Sequence, residues 1–331
     1  MRTLRRTFLL MLVGPGLGLG VAMQAGAGAH TGDSEYLFPG MLRKETEQLA
    51  DGVYAFRYTF YRNVFIVGED GVIATDPMND KAARALRAAI AEVTDLPVRW
   101  VAYSHSHWDH SAGGQLFKDE GAQFVAQKAC AANHIENPNA DIVPPDVTFD
   151  DYYKIEMGKT TPVRRSLEMF YFGPSHDNCL VVMVVNPGNF LFMVDTANPP
   201  NGWQMFYNPA VSEDRVWHMV PWFDRVQALV EERGIETVIG AHMTGGIDPV
   251  TGKPGIIRGT TGPATVIAER RDFWKDSIAA VRAELAAGTP AADVPGALVE
   301  RGVLADRITG YEPAKALIWF RRLTSYAVTG E

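Results

Sequence analysis

The run His105-Ser-His107-Trp-Asp109-His110 directly follows an apolar segment rich in strand-forming residues, 97–103. In an extended chain, residues two apart point to the same side, so His105 and His107 can bind one ion together. Asp109 and His110 stand where the chain turns into a helix, within reach of a second ion. Imidazole and carboxylate are suitable donors for zinc. Three histidines and one aspartate within six residues therefore predict a metal site at the end of a strand.

Short apolar runs on both sides of this motif predict two strand-rich halves. The predicted strands are 52–59, 63–67, 72–76, 97–103, 165–172, 180–185, 190–195 and 236–241. Asn79 or Asp80 is expected to cap a helix, and a second helix is expected over 214–233 with a break at Pro221. Two strand-rich halves that each carry helices favour two packed sheets with helices outside them.

The last part of the chain has a helical pattern over 264–287, 291–301 and 313–327. We interpret 263–331 as a C-terminal helical appendage to a main domain at 30–262. The segment 245–261 contains five glycines and two prolines, so we expect a loop there.

The first 29 residues have the pattern of a secretory signal peptide. Arg2, Arg5 and Arg6 precede an apolar run over 8–23 and small residues over 25–29. The arginine pair also resembles a twin-arginine export signal. A membrane anchor is disfavoured because the run is short of about 20 residues and is interrupted by glycines. The pattern predicts a periplasmic or secreted protein, with no stable membrane insertion once the signal is removed.

The composition predicts a globular protein, and the expected partner is a small-molecule substrate of the metal site. Apolar residues make up 47% of the chain, enough for a substantial core, and the net charge of −8 argues against nucleic acid as a partner. No particular oligomeric state is indicated. Cys130 and Cys179 are the two cysteines; their pairing is left open, and we expect free buried thiols.

The motif at 105–110 resembles the HxHxDH signature of the metallo-β-lactamase superfamily, and later residues resemble the motifs that follow it. These residues are His176 in Gly-Pro-Ser-His, Asp195 at the end of a predicted strand, His242 in Ile-Gly-Ala-His, and the early Asp76 in Val-Ile-Ala-Thr-Asp. The resemblance implies a mixed α/β (α+β) fold, the four-layer αβ/βα sandwich, with a C-terminal helical extension.

The resemblance also implies a ligand set. His105, His107 and His176 would hold a first metal; Asp109, His110 and His242 a second. Asp195 would bridge the two metals, and Asp76 would support the ligands from behind. The implied cofactor is zinc, about two ions per chain, with iron or manganese as possible replacements.

The implied activity is hydrolysis of an ester, lactone, amide or related bond by a hydroxide held between the metals, with Asp109 as the catalytic residue that orients it. One alternative is an iron-dependent oxidoreductase, similar to sulfur dioxygenases. Another is a β-lactamase, which we disfavour because many β-lactamases of this superfamily carry Cys at the position of Asp195 and lack the histidine at His110.

Trp108, Asn198 and Trp203 are candidate substrate-binding residues. Asn198 occupies a position where some lactonases of the superfamily place a tyrosine. Aromatic residues continue along the chain to Trp217, Trp222 and Phe223, which could form either a wall of the pocket or the buried face of a helix.

Overall fold

Two β-sheets lie face to face in this protein, with helices on their outer sides. The structure is a computed structural model. It describes residues 44–158, 164–197, 216–242, 244–247, 254–257, 261–307 and 311–330, with only the backbone for 244–247 and 254–257.

The first sheet has seven strands, which lie in chain order. They are β1 (Lys44–Ala50), β2 (Val53–Tyr58), β3 (Tyr61–Val67), β4 (Val72–Thr75), β5 (Val98–Ala102), β6 (Gln123–Gln127) and β7 (Val147–Phe149). Strands β1 to β4 form an antiparallel meander, and β4 to β7 are parallel.

The remaining strands form a six-stranded sheet and a separate hairpin. They are β8 (Tyr152–Met157), β9 (Arg165–Tyr171), β10 (Val181–Asn186), β11 (Phe190–Met193), β12 (Thr237–Gly240), β13 (Thr244–Ile247), β14 (Pro254–Ile257) and β15 (Thr261–Pro263). The six-stranded sheet has the order β15-β12-β11-β10-β9-β8, with β11 and β12 parallel, and β13 pairs only with β14 in the described chain.

Eight α-helices occur in the described residues. They are α1 (Asp80–Val93), α2 (Trp108–Ser111), α3 (Gln115–Asp119), α4 (Lys128–Glu136), α5 (Val216–Arg233), α6 (Thr265–Ala286), α7 (Val294–Glu300) and α8 (Pro313–Thr329). Asn79 caps α1 as predicted, because its side chain accepts a hydrogen bond from Ala82 N at 3.0 Å. None of these helices combines the length and apolarity needed to cross a bilayer.

Alternating side chains of the first sheet enter two different cores. Phe65 on β3 belongs to a cluster with Leu86 and Ile90 of α1. Its neighbours Val64 and Ile66 belong to a second cluster, which includes residues of β9, β10, α5, α6 and α8. Burial of one such side chain contributes about 1.5–3 kcal/mol. Helix, sheet, sheet and helix are thus stacked, and the predicted four-layer sandwich is confirmed.

The C-terminal helices are part of this second core. The Trp319 ring of α8 lies 5.5 Å from Phe273 and 4.6 Å from Trp274, both on α6. Arg271 of α6 also forms an ion pair with Asp224 of α5, at 3.7 Å. The helical extension therefore packs against the sandwich through apolar and ionic contacts.

Two local expectations were wrong. Helix α5 continues through Pro221, whose ring is exposed, while the neighbouring Trp222 and Phe223 are buried and hold the helix in place. The segment 245–261 is not simply a loop, because β13 and β14 pair within it and β15 begins at its end. Backbone hydrogen bonds form this hairpin, and glycine does not prevent them.

The expectation of free thiols was also wrong. Cys130 on α4 and Cys179, just before β10, form a disulfide with Cα atoms 5.3 Å apart. The two residues are 49 positions apart in the chain and meet only because α4 packs beside the loop before β10. Spacing along the sequence carries no information about this contact.

Replacing both cysteines by alanine should lower the free energy of unfolding by about 2–4 kcal/mol, because the disulfide restricts a loop of 49 residues in the unfolded chain. Urea unfolding of the two proteins measures the difference. A reducing agent should destabilise the wild type and leave the double variant unchanged. A wild type that is insensitive to reduction would contradict the assignment.

Candidate metal centre

The predicted metal ligands all follow the ends of strands. His105 lies just beyond β5, and His176 lies in the connection from β9 to β10. Asp195 and His242 each come two residues after a strand, β11 and β12. Because β11 and β12 are parallel neighbours, their carboxyl ends meet at one edge of the sheet. The fold brings these ligands to the corresponding edge of the first sheet, where β5 ends.

Four residues form the first group, in which one donor atom from each residue lies within 4.8 Å of the others: His105, His107, His176 and Asp195. His107 Nδ1 is 3.2 Å from His176 Nε2. Asp195 Oδ2 is 3.1 Å from His105 Nε2 and 3.3 Å from His176 Nε2. The structure thus brings together the residues predicted to hold the first metal.

The second group contains Asp109, His110 and His242, again with donor atoms within 4.8 Å of one another. His110 Nε2 is 3.1 Å from His242 Nε2 and 3.8 Å from Asp109 Oδ2. Asp195 approaches this group with its other oxygen: Oδ1 is 2.6 Å from His242 Nε2 and 3.5 Å from His110 Nε2.

The Asp195 carboxylate thus lies between the two groups and offers one oxygen to each. Burial and the neighbouring histidines have opposite effects on the charge of the Asp195 side chain. Burial alone would raise the pKa of Asp195, but the nearby His110 and His242 outweigh burial and lower it well below its ordinary value. Asp195 is therefore a carboxylate at neutral pH, in the position of a bridging ligand.

The histidines have different protonation tendencies. Burial, together with the neighbouring His105 and His176, lowers the pKa of His107 to about 3, so its imidazole is neutral, the form that binds metals. For His110, burial opposes the charge, but Asp195 and Asp109 outweigh it and raise the pKa well above the ordinary value. The carboxylates therefore attract a positive charge into the second group.

This donor set fits divalent metal ions. Imidazole nitrogens at 3.1–3.2 Å from one another repel unless a proton or a cation lies between their lone pairs. Nitrogen and carboxylate oxygen, without thiolate, suit zinc, iron and manganese. His107 and Asp109 are only partly buried, so the centre has a side that faces solvent. Catalytic sites keep such an open position, whereas structural zinc sites are closed.

Asp76 lies behind the ligands, where the sequence predicts it. Its Oδ1 accepts a hydrogen bond from Ser104 N at 2.8 Å, and its Oδ2 is 3.5 Å from His110 Nδ1. Asn63 holds the turn at Asp76, because its side chain donates to the carbonyls of both Thr75 and Asp76 at 2.9 Å. Asn63 was not predicted; it lies in a strand, and no local pattern marks it.

A second set of supporting residues surrounds the connection that carries His176. The buried Asp177 accepts hydrogen bonds from Cys179 N at 2.7 Å, Leu180 N at 2.6 Å and Ser106 Oγ at 3.1 Å. Burial would raise the pKa of Asp177, but His105 and the Cys179 N–H outweigh it and lower it. Asp177 thus ties the His176 connection to the residue between His105 and His107.

Tyr61, the first residue of β3, is a further contact that sequence reasoning missed. Its ring packs edge-on against His110 at 5.8 Å and His242 at 5.0 Å. Its hydroxyl lies near enough to the Asp109 carboxylate for the two groups to interact. Burial raises the pKa of Tyr61, and Asp109 and Asp195 raise it further, so the hydroxyl keeps its proton.

Of the three candidate substrate-binding residues, only Trp108 lies within the described residues. Trp108 is 41% exposed on α2, between two ligand residues. Asn198 and Trp203 lie outside the described residues. Trp222 and Phe223 are buried in the core, so they form the buried face of α5 and not a wall of the pocket.

Comparison with known proteins identifies relatives of this chain. Residues 57–217 match the sequence model of the metallo-beta-lactamase superfamily. The 2,4-dinitroanisole O-demethylase subunit alpha of Nocardioides sp. (strain JS1661) is 26% identical over 153 residues. This alignment covers 46% of the present chain and spans 45% of the length of that relative.

Solved structures share the fold at low sequence identity. The metallo-beta-lactamase from Pontibacter korlensis has a TM-score of 0.53 at 16% identity, covering 70% of this chain and 99% of its own. The metallo-beta-lactamase FIM-1 from Pseudomonas aeruginosa, in its mono-zinc form, has a TM-score of 0.55 at 14% identity. The match covers 72% of this chain and 97% of FIM-1. A double mutant of the sec-alkyl sulfatase PisA1 has a TM-score of 0.64 at 16% identity. The match covers 87% of this chain and 50% of the sulfatase. Residues 57–217 thus match the metallo-β-lactamase superfamily in sequence, and the described part of the chain has the fold of solved metallo-β-lactamases.

Proposed function

We propose that this protein is an exported, metal-dependent hydrolase that cleaves an ester-type bond of a small molecule at a two-metal site. The observation that carries the proposal is the position of Asp195, whose two oxygens face two separate groups of ligands. Paired metals are used by many hydrolytic enzymes, in which they stabilise the attacking and leaving oxygens together.

The proposed metals are two zinc ions, held by the residues that the sequence predicts. His105, His107 and His176 would bind one ion and Asp109, His110 and His242 the other, with Asp195 shared between them. When bound, the metals act as Lewis acids and ionise a water molecule at neutral pH.

Asp109 is the proposed catalytic residue. Its carboxylate faces the solvent-accessible side of the centre. Burial would raise its pKa, but His110, His242 and His105 together lower it, so the group carries negative charge. Such a group can orient the attacking water and accept its proton. The nearby Tyr61 hydroxyl is proposed to help orient this carboxylate.

Export is proposed from the signal pattern of residues 1–29, and the disulfide supports it. A disulfide between Cys130 and Cys179 is stable in an oxidising compartment such as the periplasm and rare in the cytosol.

The comparisons suggest which bonds to test first. The sec-alkyl sulfatase matches 87% of this chain. Residues 263–331 are about a fifth of the chain, so that match must extend into the C-terminal helices. The sequence relative is named for the demethylation of an aryl methyl ether. We therefore place sulfate esters and nitroaryl ethers ahead of β-lactams. Trp108, exposed beside the centre, is proposed to contact an apolar group of the substrate.

The test is a substrate panel with the protein reconstituted in zinc, manganese or iron(II). Alkyl sulfates, nitroaryl methyl ethers, carboxylate esters, lactones, phosphodiesters and β-lactams are assayed for hydrolysis, and thiols and persulfides for oxygen consumption. Hydrolysis with zinc would support the proposal. Oxygen consumption with iron alone would replace it with the oxidoreductase alternative.

Asp109→Asn should lower kcat at least 100-fold on whichever substrate is hydrolysed, because the amide cannot accept a proton. Steady-state kinetics measure the loss. Asp119→Asn, at the end of α3 and exposed, is the matched control and should keep wild-type activity. An Asp109→Asn enzyme with full kcat would remove Asp109 from the mechanism.

His242→Ala should reduce the metal content from about two ions to about one per chain, because the second group loses a ligand while the first remains complete. Elemental analysis after dialysis against metal-free buffer gives the count. His218→Ala, an exposed histidine of α5, should retain both ions. Retention of both ions by His242→Ala would contradict the ligand assignment.

Tyr61→Phe should keep the metal content and lower kcat about 10- to 100-fold with little change in KM, because it removes the hydroxyl proposed to orient Asp109 but keeps the ring. Tyr152→Phe is the matched control: it removes a hydroxyl that donates to Glu168 at 2.8 Å on the second sheet. Equal kcat values for both variants would show that Tyr61 has no role in orienting Asp109.

A further inference from the structure

The C-terminal helix α6 makes a polar contact next to the bridging carboxylate. Arg270 of α6 is 2% exposed. Its Nε and Nη2 lie 3.1 Å and 3.0 Å from the carbonyl oxygen of Thr196, the residue that follows Asp195. Two donors of one guanidinium thus converge on a single buried carbonyl that is 74 positions away in the chain.

The backbone at Asp195 has a conformation that needs support. Its φ is 61°, in the left-handed region that residues other than glycine rarely adopt. Thr196 N donates to the carbonyl of Val194 at 2.7 Å, which closes a three-residue turn around Asp195. A three-residue turn with positive φ at its centre is rare and strained, and such strain persists only where surrounding contacts hold it.

We propose that Arg270 is a positioning residue for the metal centre, which holds the Val194–Thr196 turn so that each Asp195 oxygen faces its own group of ligands. The C-terminal helical extension thereby contributes to metal binding without supplying a ligand. This inference rests on the two-metal site of the proposed function.

The chemistry of the contact favours arginine over other residues. The guanidinium is planar and rigid, so its Nε and one terminal nitrogen can donate to one acceptor in a fixed geometry. A lysine ammonium is a single flexible point of contact and cannot fix the peptide plane in the same way. The Thr196 carbonyl belongs to the peptide that leaves the turn, so Arg270 fixes the end of the turn one residue beyond Asp195.

A displacement of the Val194–Thr196 turn should weaken the binding of both metals. Asp195 Oδ2 faces His105 and His176, and Oδ1 faces His242. A rotation of the Asp195 backbone displaces both oxygens together. Loss of Arg270 should therefore weaken both steps of metal binding, unlike the loss of His242, which removes a ligand from one group only.

The experiment compares Arg270→Met, Arg270→Lys and Arg271→Met in the full-length protein. Arg271 is the matched control on the same helix, where it pairs with Asp272 at 2.9 Å and Asp224 at 3.7 Å. Zinc affinity is measured for both binding steps by competition with a chromophoric chelator. Urea unfolding of the metal-free proteins, measured in parallel, identifies any general loss of stability.

Arg270→Met should bind zinc about 10- to 100-fold more weakly in both steps, as is typical when a residue that supports a metal ligand is removed. Arg270→Lys should lie between this variant and the wild type, and Arg271→Met should stay within about twofold of wild type. With cobalt in place of zinc, the visible spectrum of Arg270→Met should differ from that of the wild type, and the spectrum of Arg271→Met should not.

Wild-type affinity in both Arg270 variants would overturn the inference and leave the proposed function intact. Weakening of one step only, or equal weakening in Arg271→Met, would also overturn it. If Arg270→Met does not fold, the same criteria apply to Arg270→Lys, which keeps the charge. A wild type that binds no zinc would overturn both this inference and the proposed function.

Discussion

The structure depends on one electrostatic constraint: a buried carboxylate, Asp195, lies among five imidazole rings at the edge where both sheets end. Its lowered pKa keeps it ionised although burial opposes the charge. Donor atoms this close are unfavourable without a positive charge between them. Metal binding and the stability of this edge should therefore be coupled, because an ion that binds only the folded arrangement also stabilises it.

The rest of the fold positions the ligands from outside the centre. The hairpin of β2 and β3 contributes Tyr61, which contacts the second group. The disulfide on α4 and the buried Asp177 fix the connection that carries His176. Helix α6 contributes Arg270 at the Asp195 turn. Several ligands are thus contacted by an element other than their own strand, and such supporting contacts help to fix metal geometry.

His105 and His107 could be predicted as ligands from their spacing just after a strand, and the later ligands from an order of motifs that resembles the metallo-β-lactamase superfamily. The predicted sandwich follows from the same strands and is confirmed. Supporting residues could not be predicted in this way. Asn63 and Arg270 lie within a regular strand and a regular helix, and the two cysteines are 49 residues apart. Their roles arise from packing between distant segments, which local patterns do not encode.

An X-ray structure of the zinc-loaded protein, with anomalous data at the zinc edge, tests the bridging position of Asp195 most directly. We expect two ions about 3.5–4 Å apart, as in other two-metal sites, each contacting a different oxygen of Asp195. A single ion held by one group, or two ions with Asp195 bound to only one of them, would contradict the two-metal arrangement.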